Sequence, residues 1–358
     1  MVSKLRKFLD EFEVRQKTSA ISSNSGPPSE QQESASLTQI TPDITMLSFM
    51  VLPRELRDKI CTYVLFSQTN ECPDLNQTFE QLLANRTCYD KPRLKSWLDL
   101  TMSHPGDTLS NATNLLLVNH QLHAETLENI KRYGKSITYD LDIILLDEIL
   151  LLPTWTHVPI LTTHLEEVNV TFRISGKYDA AKELPGRKRK DDDPAPGPYA
   201  HFGRWKGFRI GCGAGYAMGW QIYSILERFI RAGPTGNGTA ADEHRHIAVK
   251  TLNINVETLA DIDPARFGPH LINFLEGNIG SLLYGTNHEW FEYGQILYEH
   301  VDEVVVLKDG EELRRFDVAA MLESVVSIDK YLTQERLDSY KESTWMARRK
   351  RDLKAQPK

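Results

Sequence analysis

The residues of this chain whose types could do chemistry fall into a few small groups. Gly211-Cys212-Gly213-Ala214-Gly215-Tyr216-Ala217-Met218-Gly219 is the one glycine-rich stretch. It follows Phe208-Arg209-Ile210 and precedes a helical pattern, the context in which a backbone loop cradles a phosphate. The dinucleotide spacing G-x-G-x-x-G fails from either starting glycine. Gly233 to Gly238 then interrupts the chain where a ribose-binding acid would follow. A flexible strand-to-helix connection is the simpler reading. Neither G-x-x-x-x-G-K-[ST] nor G-x-S-x-G occurs.

The other groups are equally incomplete. His120 and His123 stand three apart with Glu125 nearby, and His244 and His246 form H-x-H, yet no third metal ligand is indicated by spacing. Ser327-Ile328-Asp329-Lys330 satisfies S-x-x-K without a companion motif. Glu166, Glu167 and Asp191 to Asp193 read as solvated surface. Cys61, Cys72, Cys88 and Cys212 form no C-x-x-C and no zinc spacing, which favours a reducing compartment. These residues lead us to expect no catalytic residue, no cofactor and no metal.

Bulk composition narrows the class. The 358 residues are 41% hydrophobic, enough for a large core with one or two domains. The net charge of -7 argues against general nucleic-acid binding, which needs a basic footprint. No run approaches the roughly 20 apolar residues that span a bilayer, and no apolar signal core follows the N-terminus. An intracellular protein, cytoplasmic or nuclear, is expected. Arg187–Lys190 and Arg348–Arg351 are the basic clusters that a nuclear reading would use. The first is neutralised by three adjacent aspartates, and the second reads equally as a solvated helix end.

The elements around these groups are clearer. Residues 1–45 read as disordered, with a short amphipathic pattern over 1–17. Pro53 suits a helix start, and Leu56, Ile60, Tyr63 and Val64 follow at helical spacing. A second helix is expected over 115–132, with Thr113 as N-cap, Lys131 and Arg132 in its last turn and Gly134 beyond it. Residues 67–111 read as an insertion. Strands are expected at 136–140, 165–174, 247–256 and 301–307, and helices at 219–232 and 269–284. Asp309-Gly310 is a hairpin turn. The alternation implies crossovers and a mostly parallel sheet. Past 329 a charged helix closes the chain.

Two runs carry a resemblance: Leu52-Pro53-Arg54-Glu55-Leu56-Arg57-Asp58-Lys59-Ile60 and Leu116-Leu117-Val118-Asn119-His120-Gln121-Leu122-His123-Ala124-Glu125. They resemble the paired signature of the F-box-like proteins abundant in filamentous fungi, over residues 46–140 at most. Residues 137–139 match the short strand that follows it. In a compact F-box the two helices are close in sequence; here a long insertion parts them. The resemblance implies an α+β chain: an F-box-like helical module (46–140, insertion 67–111), then an α/β, leucine-rich-repeat-like region with a mostly parallel sheet (141–328), then a charged helix and basic tail (329–358).

It also implies a non-enzymatic adaptor, the substrate-recruiting subunit of a cullin–RING ubiquitin ligase. Leu52, Pro53, Leu56, Ile60, Val64, Leu116 and Val118 would bind a Skp-family adaptor, and the sheet region would hold an unknown protein client. No nucleic acid or membrane partner is expected. Two alternatives stand beside this. A scaffold without a ligase partner would bury the first-helix stripe within its own chain. An α/β enzyme or small-ligand binder using the 211–219 loop would need a pocket at the strand C-termini.

Overall fold

The computed structural model describes residues 49–78, 81–82, 86–88, 102–103, 110–134, 136–146, 150–175, 211–212, 215–234, 246–258, 268–284, 288–326 and 333–354. The chain divides into two compact units, Met1–Ile60 and Cys61–Lys358. In the first, a short 3-10 turn, Phe49–Val51, leads through Leu52 and Pro53 into helix α1, Arg54–Leu65, whose residues from Cys61 onward are counted with the second unit. The Pro53 carbonyl accepts from the amides of Leu56 and Arg57, so proline opens the helix as expected. Arg57 folds back, and its Nη1 donates to the carbonyls of Met50 and Leu52 at 3.2 and 2.5 Å. The turn before α1 is thereby tied to it.

The main sheet of the second unit has six strands. Helices α2, Asn111–Leu116, and α3, His120–Tyr133, precede it. Strands β1, Thr138–Leu146, and β2, Leu150–His157, form a hairpin, and β3, His164–Ser175, follows. Then come α4, Ala217–Ala232; β4, Ala248–Glu257; α5, Gly268–Tyr284; and α6, His288–His300. The chain closes with β5, Val301–Lys308; β6, Glu311–Asp317; α7, Val318–Ser324; and α8, Gln334–Lys350. The spatial order is β6-β5-β4-β3-β1-β2. β1, β3, β4 and β5 are mutually parallel, and β2 and β6 are antiparallel edges.

The winding explains the faces. Successive parallel strands are added in one direction, and right-handed crossovers then place every connecting helix on the same side. Val168, Val170, Phe172 and Ile174 of β3, with Leu252, Ile254 and Val256 of β4, are buried on that side. They share one core with Phe229 of α4, Leu275 of α5, Leu297 of α6, Leu322 of α7 and Trp345 of α8. Asn169, Thr171, Arg173, Asn253 and Asn255 alternate onto the other face and stay half-exposed. A one-sided sheet reads as strict alternation, which is why these strands were legible.

β1 joins β3 without a helix. β2 runs back along β1, so residues 158–163 suffice to reach the start of β3. Tyr139 anchors that link: its hydroxyl donates to the Ile160 carbonyl at 2.6 Å and accepts from the Thr162 amide at 3.1 Å. Pro153 is tolerated within β2 because β2 is an edge. At the other edge Asp309 and Gly310 both take positive φ, 51° and 85°, the turn geometry that Asp-Gly favours.

Four expectations need correction. The helix expected over 115–132 is two helices, with Ser110 and Asn119 at their N-cap positions in place of Thr113. The Asn119 side chain accepts from the Leu122 amide at 2.8 Å and starts a new helix where one was expected to continue. Strand β1 runs through the boundary expected at 140/141, so the short strand after the helices belongs to the sheet. Part of the stretch read as an insertion is integral to the sheet region. The Thr69 amide donates to Thr156 O at 2.8 Å, and Arg173 Nη2 donates to Pro73 O at 2.8 Å. Finally, α8 is no solvated end, because Leu337, Thr344, Trp345 and Arg348 are buried. The clusters at 187–190 and 191–193 lie outside the described residues.

Candidate functional site

Helix α1 separates its faces by one residue. Arg57, Cys61 and Leu65, at i, i+4 and i+8, are its buried positions. The expected contact stripe lies beside them. Leu56 is 47% and Tyr63 66% exposed, Pro53 is exposed, and Leu52, Ile60 and Val64 are half-buried. Leu52, Pro53, Leu56 and Ile60 belong to the first unit; Val64 belongs to the second, with Leu116 and Val118.

In the second unit the end of α1 is tied to the start of α2. Asn111 Nδ2 donates to the carbonyls of Leu65 and Ser67 at 3.1 and 2.7 Å. The break between α2 and α3 then turns apolar residues outward: Leu117 is 78% and Val118 61% exposed, while Leu116 is half-buried against the core. A continuous helix would not produce this corner. Asn119, which caps α3, is the residue that makes it.

The polar face of the sheet is cross-linked by its own side chains. Asn169 Nδ2 donates to Asp140 Oδ1 at 2.9 Å, and Asn253 Nδ2 donates to Asn169 Oδ1 at 2.8 Å, a ladder across three strands. Arg173 grips Asp142 through Nε and Nη2 at 2.6 and 2.8 Å. Burial and the neighbouring Asp142 carboxylate push the Cys72 thiol up to about 11, so it stays protonated and is a poor nucleophile.

The chemistry-bearing groups of the sequence end in structural roles where they are described. Gly219 lets α4 approach α5: a Cβ there would meet Asn278 Nδ2 at 2.4 Å. His120 and His123 are exposed, and His123 Nδ1 donates to the Leu116 carbonyl at 2.9 Å. Glu166 pairs with Lys250 at 2.6 Å on the surface. Among the described residues no group of three or more His, Cys, Asp or Glu could hold a metal. Among them, too, no helix is long and apolar enough to cross a membrane. Residues 213–214, 244 and 327–330 lie outside the description.

One cavity of about 520 Å³ escaped the sequence reading. It opens at the N-terminal edge of the parallel strands, among Thr163 and His164 at the start of β3, His246 before β4 and His300 before β5. The C-terminal turns of α4, α6 and α8 complete it with Arg231, Glu299, Lys350 and Arg351. His300 Nδ1 donates to the Ile247 carbonyl at 2.9 Å, which leaves Nε2 as the acceptor. Burial, with Arg351 nearby, holds the His300 imidazole down to about 3, so the ring is neutral near pH 7. The lining residues are scattered from 163 to 351, and no local spacing announces them.

Comparison of the chain with protein-family models, curated proteins and solved structures finds no match in any of the three.

Proposed function

We propose that this chain is an F-box-like adaptor. The apolar stripe of α1 (Leu52, Pro53, Leu56, Ile60, Val64) and the Leu116–Val118 corner are its two docking elements for a Skp-family adaptor of a cullin–RING ubiquitin ligase. The observation that carries this reading is the solvent exposure of Leu56 within the Leu-Pro-x-Glu-Leu-Arg run. A scaffold without a ligase partner would use that leucine in its own core. Each large apolar side chain that a partner buries fully contributes about 1.5–3 kcal/mol, and amphipathic helix faces are a common docking surface.

The sheet region is the client-binding part. The strands β1, β3, β4 and β5 lie parallel and in sequence order with helices on one face, which supports reading this region as leucine-rich-repeat-like. Its other face offers the half-exposed Asn, Thr and Arg rows. The enzyme alternative needs a pocket at the strand C-termini, whereas the described cavity opens at the opposite edge.

Co-purification of the tagged full chain from a fungal host tests the reading. A Skp-family adaptor should be recovered with the wild type and lost from Leu56→Asp. Recovery of the adaptor with a folded Leu56→Asp chain equal to wild type would remove α1 from the site.

A further inference from the structure

We propose that the cavity at the N-terminal edge of the sheet binds a small phosphate monoester, its phosphoryl group held by Arg231, Lys350 and Arg351 and its organic part lying on Tyr223 and Met346. The site is separate from the docking elements of α1 and the α2–α3 corner, and it stands or falls independently of the adaptor reading.

Charge is the first argument. The whole chain carries a net -7, yet the described residues that line the cavity include three permanent cations and one carboxylate, Glu299. Such a concentration of one sign in a cleft focuses the field toward anions. Glu299 Oε1 accepts from Gln295 Nε2 at 2.6 Å, so one oxygen of that carboxylate is taken by its own helix. Arg231 pairs with Glu227 at 3.0 Å but keeps nearly half its side chain in solvent. Lys350 is exposed and has no ion pair among the described residues.

Basic residues at helix C-termini ordinarily complement the helix dipole, and three helices end here. That explains why cations are tolerated, and it leaves their net effect on the cavity to be read elsewhere. Their placement supplies it: Arg231, Lys350 and Arg351 all line one cavity, and an anion there would relieve their mutual repulsion.

Shape is the second argument. A volume of about 520 Å³ lies in the range of small-molecule sites and exceeds what a bare ion needs. Tyr223, Ile296 and Met346 give an apolar wall, and Met346 is half exposed there with no other use in the core. The Tyr223 hydroxyl is held up to about 12, chiefly by burial, and stays a donor.

Calorimetric titration of the full chain at fixed ionic strength, with phenyl phosphate, inorganic phosphate and phenol as probes, tests the proposal. Phenyl phosphate should bind more tightly than inorganic phosphate, and phenol should give no binding heat. Lys350→Gln and Arg231→Gln should each raise the phenyl phosphate Kd about five- to tenfold. Arg349→Gln makes the same charge change on the same helix but lies outside the cavity lining, and should leave the Kd unchanged. Absence of binding by phenyl phosphate, equal binding by phenol, or an Arg349→Gln effect as large as that of Lys350→Gln would each overturn it.

Discussion

Helices α1 and α8 make opposite use of their side chains. Helix α8, rich in charge, buries an arginine completely and spends its donors on the chain around it. Arg348 Nη1 donates to the carbonyls of Tyr298 and Val301 at 2.6 and 2.9 Å, Nη2 to Asp302 Oδ1 at 2.5 Å, and Nε to Lys354 O at 3.0 Å. Burial alone works against both charges of the Arg348–Asp302 pair, but a guanidinium does not surrender its proton in a protein. The hydrogen bonds therefore hold the last helix to the start of β5. Helix α1 does the reverse: Leu56 and Tyr63 stand in water beside a buried arginine. A buried guanidinium with four of its five N–H donors used is structural work. A leucine left outside at helical spacing has no such use among the described residues, and on that difference the proposed docking surface rests.

The contrast breaks most readily at α8. Arg348→Met should lower unfolding free energy by about 3–5 kcal/mol, because it leaves Asp302 buried with its partner gone. Adding Asp302→Leu should recover part of that loss, since the orphaned carboxylate disappears. Urea unfolding of both variants measures the difference. A single variant as stable as wild type would remove Arg348 from its clamp role.

Helix packing should rank next. A Cβ on Gly294 would lie 2.1 Å from the Leu282 carbonyl oxygen, which is backbone and cannot swing away. On Gly219 it would meet the end of the Asn278 side chain, which can. Gly294→Ala should therefore cost about 2–3 kcal/mol and Gly219→Ala clearly less, by thermal or urea unfolding. Equal costs would contradict this packing of α6 on α5.

Acid should act through His300. Its imidazole titrates near 3 in the folded chain and near its ordinary 6.5 when unfolded. The unfolded chain then binds more protons between those values, so stability is full above about pH 6.5 and falls as pH drops toward 3. At pH 5 the loss assigned to this residue is about 2 kcal/mol. His300→Gln, whose amide can still donate to Ile247, should flatten the slope between pH 7 and 5. An unchanged slope would show that His300 does not carry it.

How much of this was legible in the sequence follows from the same contrast. The strands at 165–174 and 247–256 were readable because strands covered on one side write their burial as alternation, the strand at 301–307 because Val304-Val305-Val306-Leu307 is a short apolar run, and the turn because Asp309-Gly310 is a hairpin pair. The Leu52–Ile60 run was readable as a helix with an outer apolar stripe. The split at Asn119 was not, because Leu115, Val118 and Leu122 keep a helical rhythm across it, and only asparagine's capping habit hinted at a new start. Helix α6 was missed for want of a clean stripe in His288–His300. Arg348 looked like part of a basic tail, since nothing in Arg-Arg-Lys-Arg tells which arginine turns inward. The cavity was invisible for a different reason: its walls meet only after the sheet has formed.

Binding of a purified Skp-family adaptor to the full chain, measured for wild type, Leu56→Asp and Val118→Asp alongside their urea midpoints, tests the central claim most directly. Both substituted positions are exposed, so each should change stability by no more than about 0.5 kcal/mol while reducing adaptor affinity at least tenfold. A wild-type chain that does not bind the adaptor, or folded variants that bind it as well as wild type, would contradict the account.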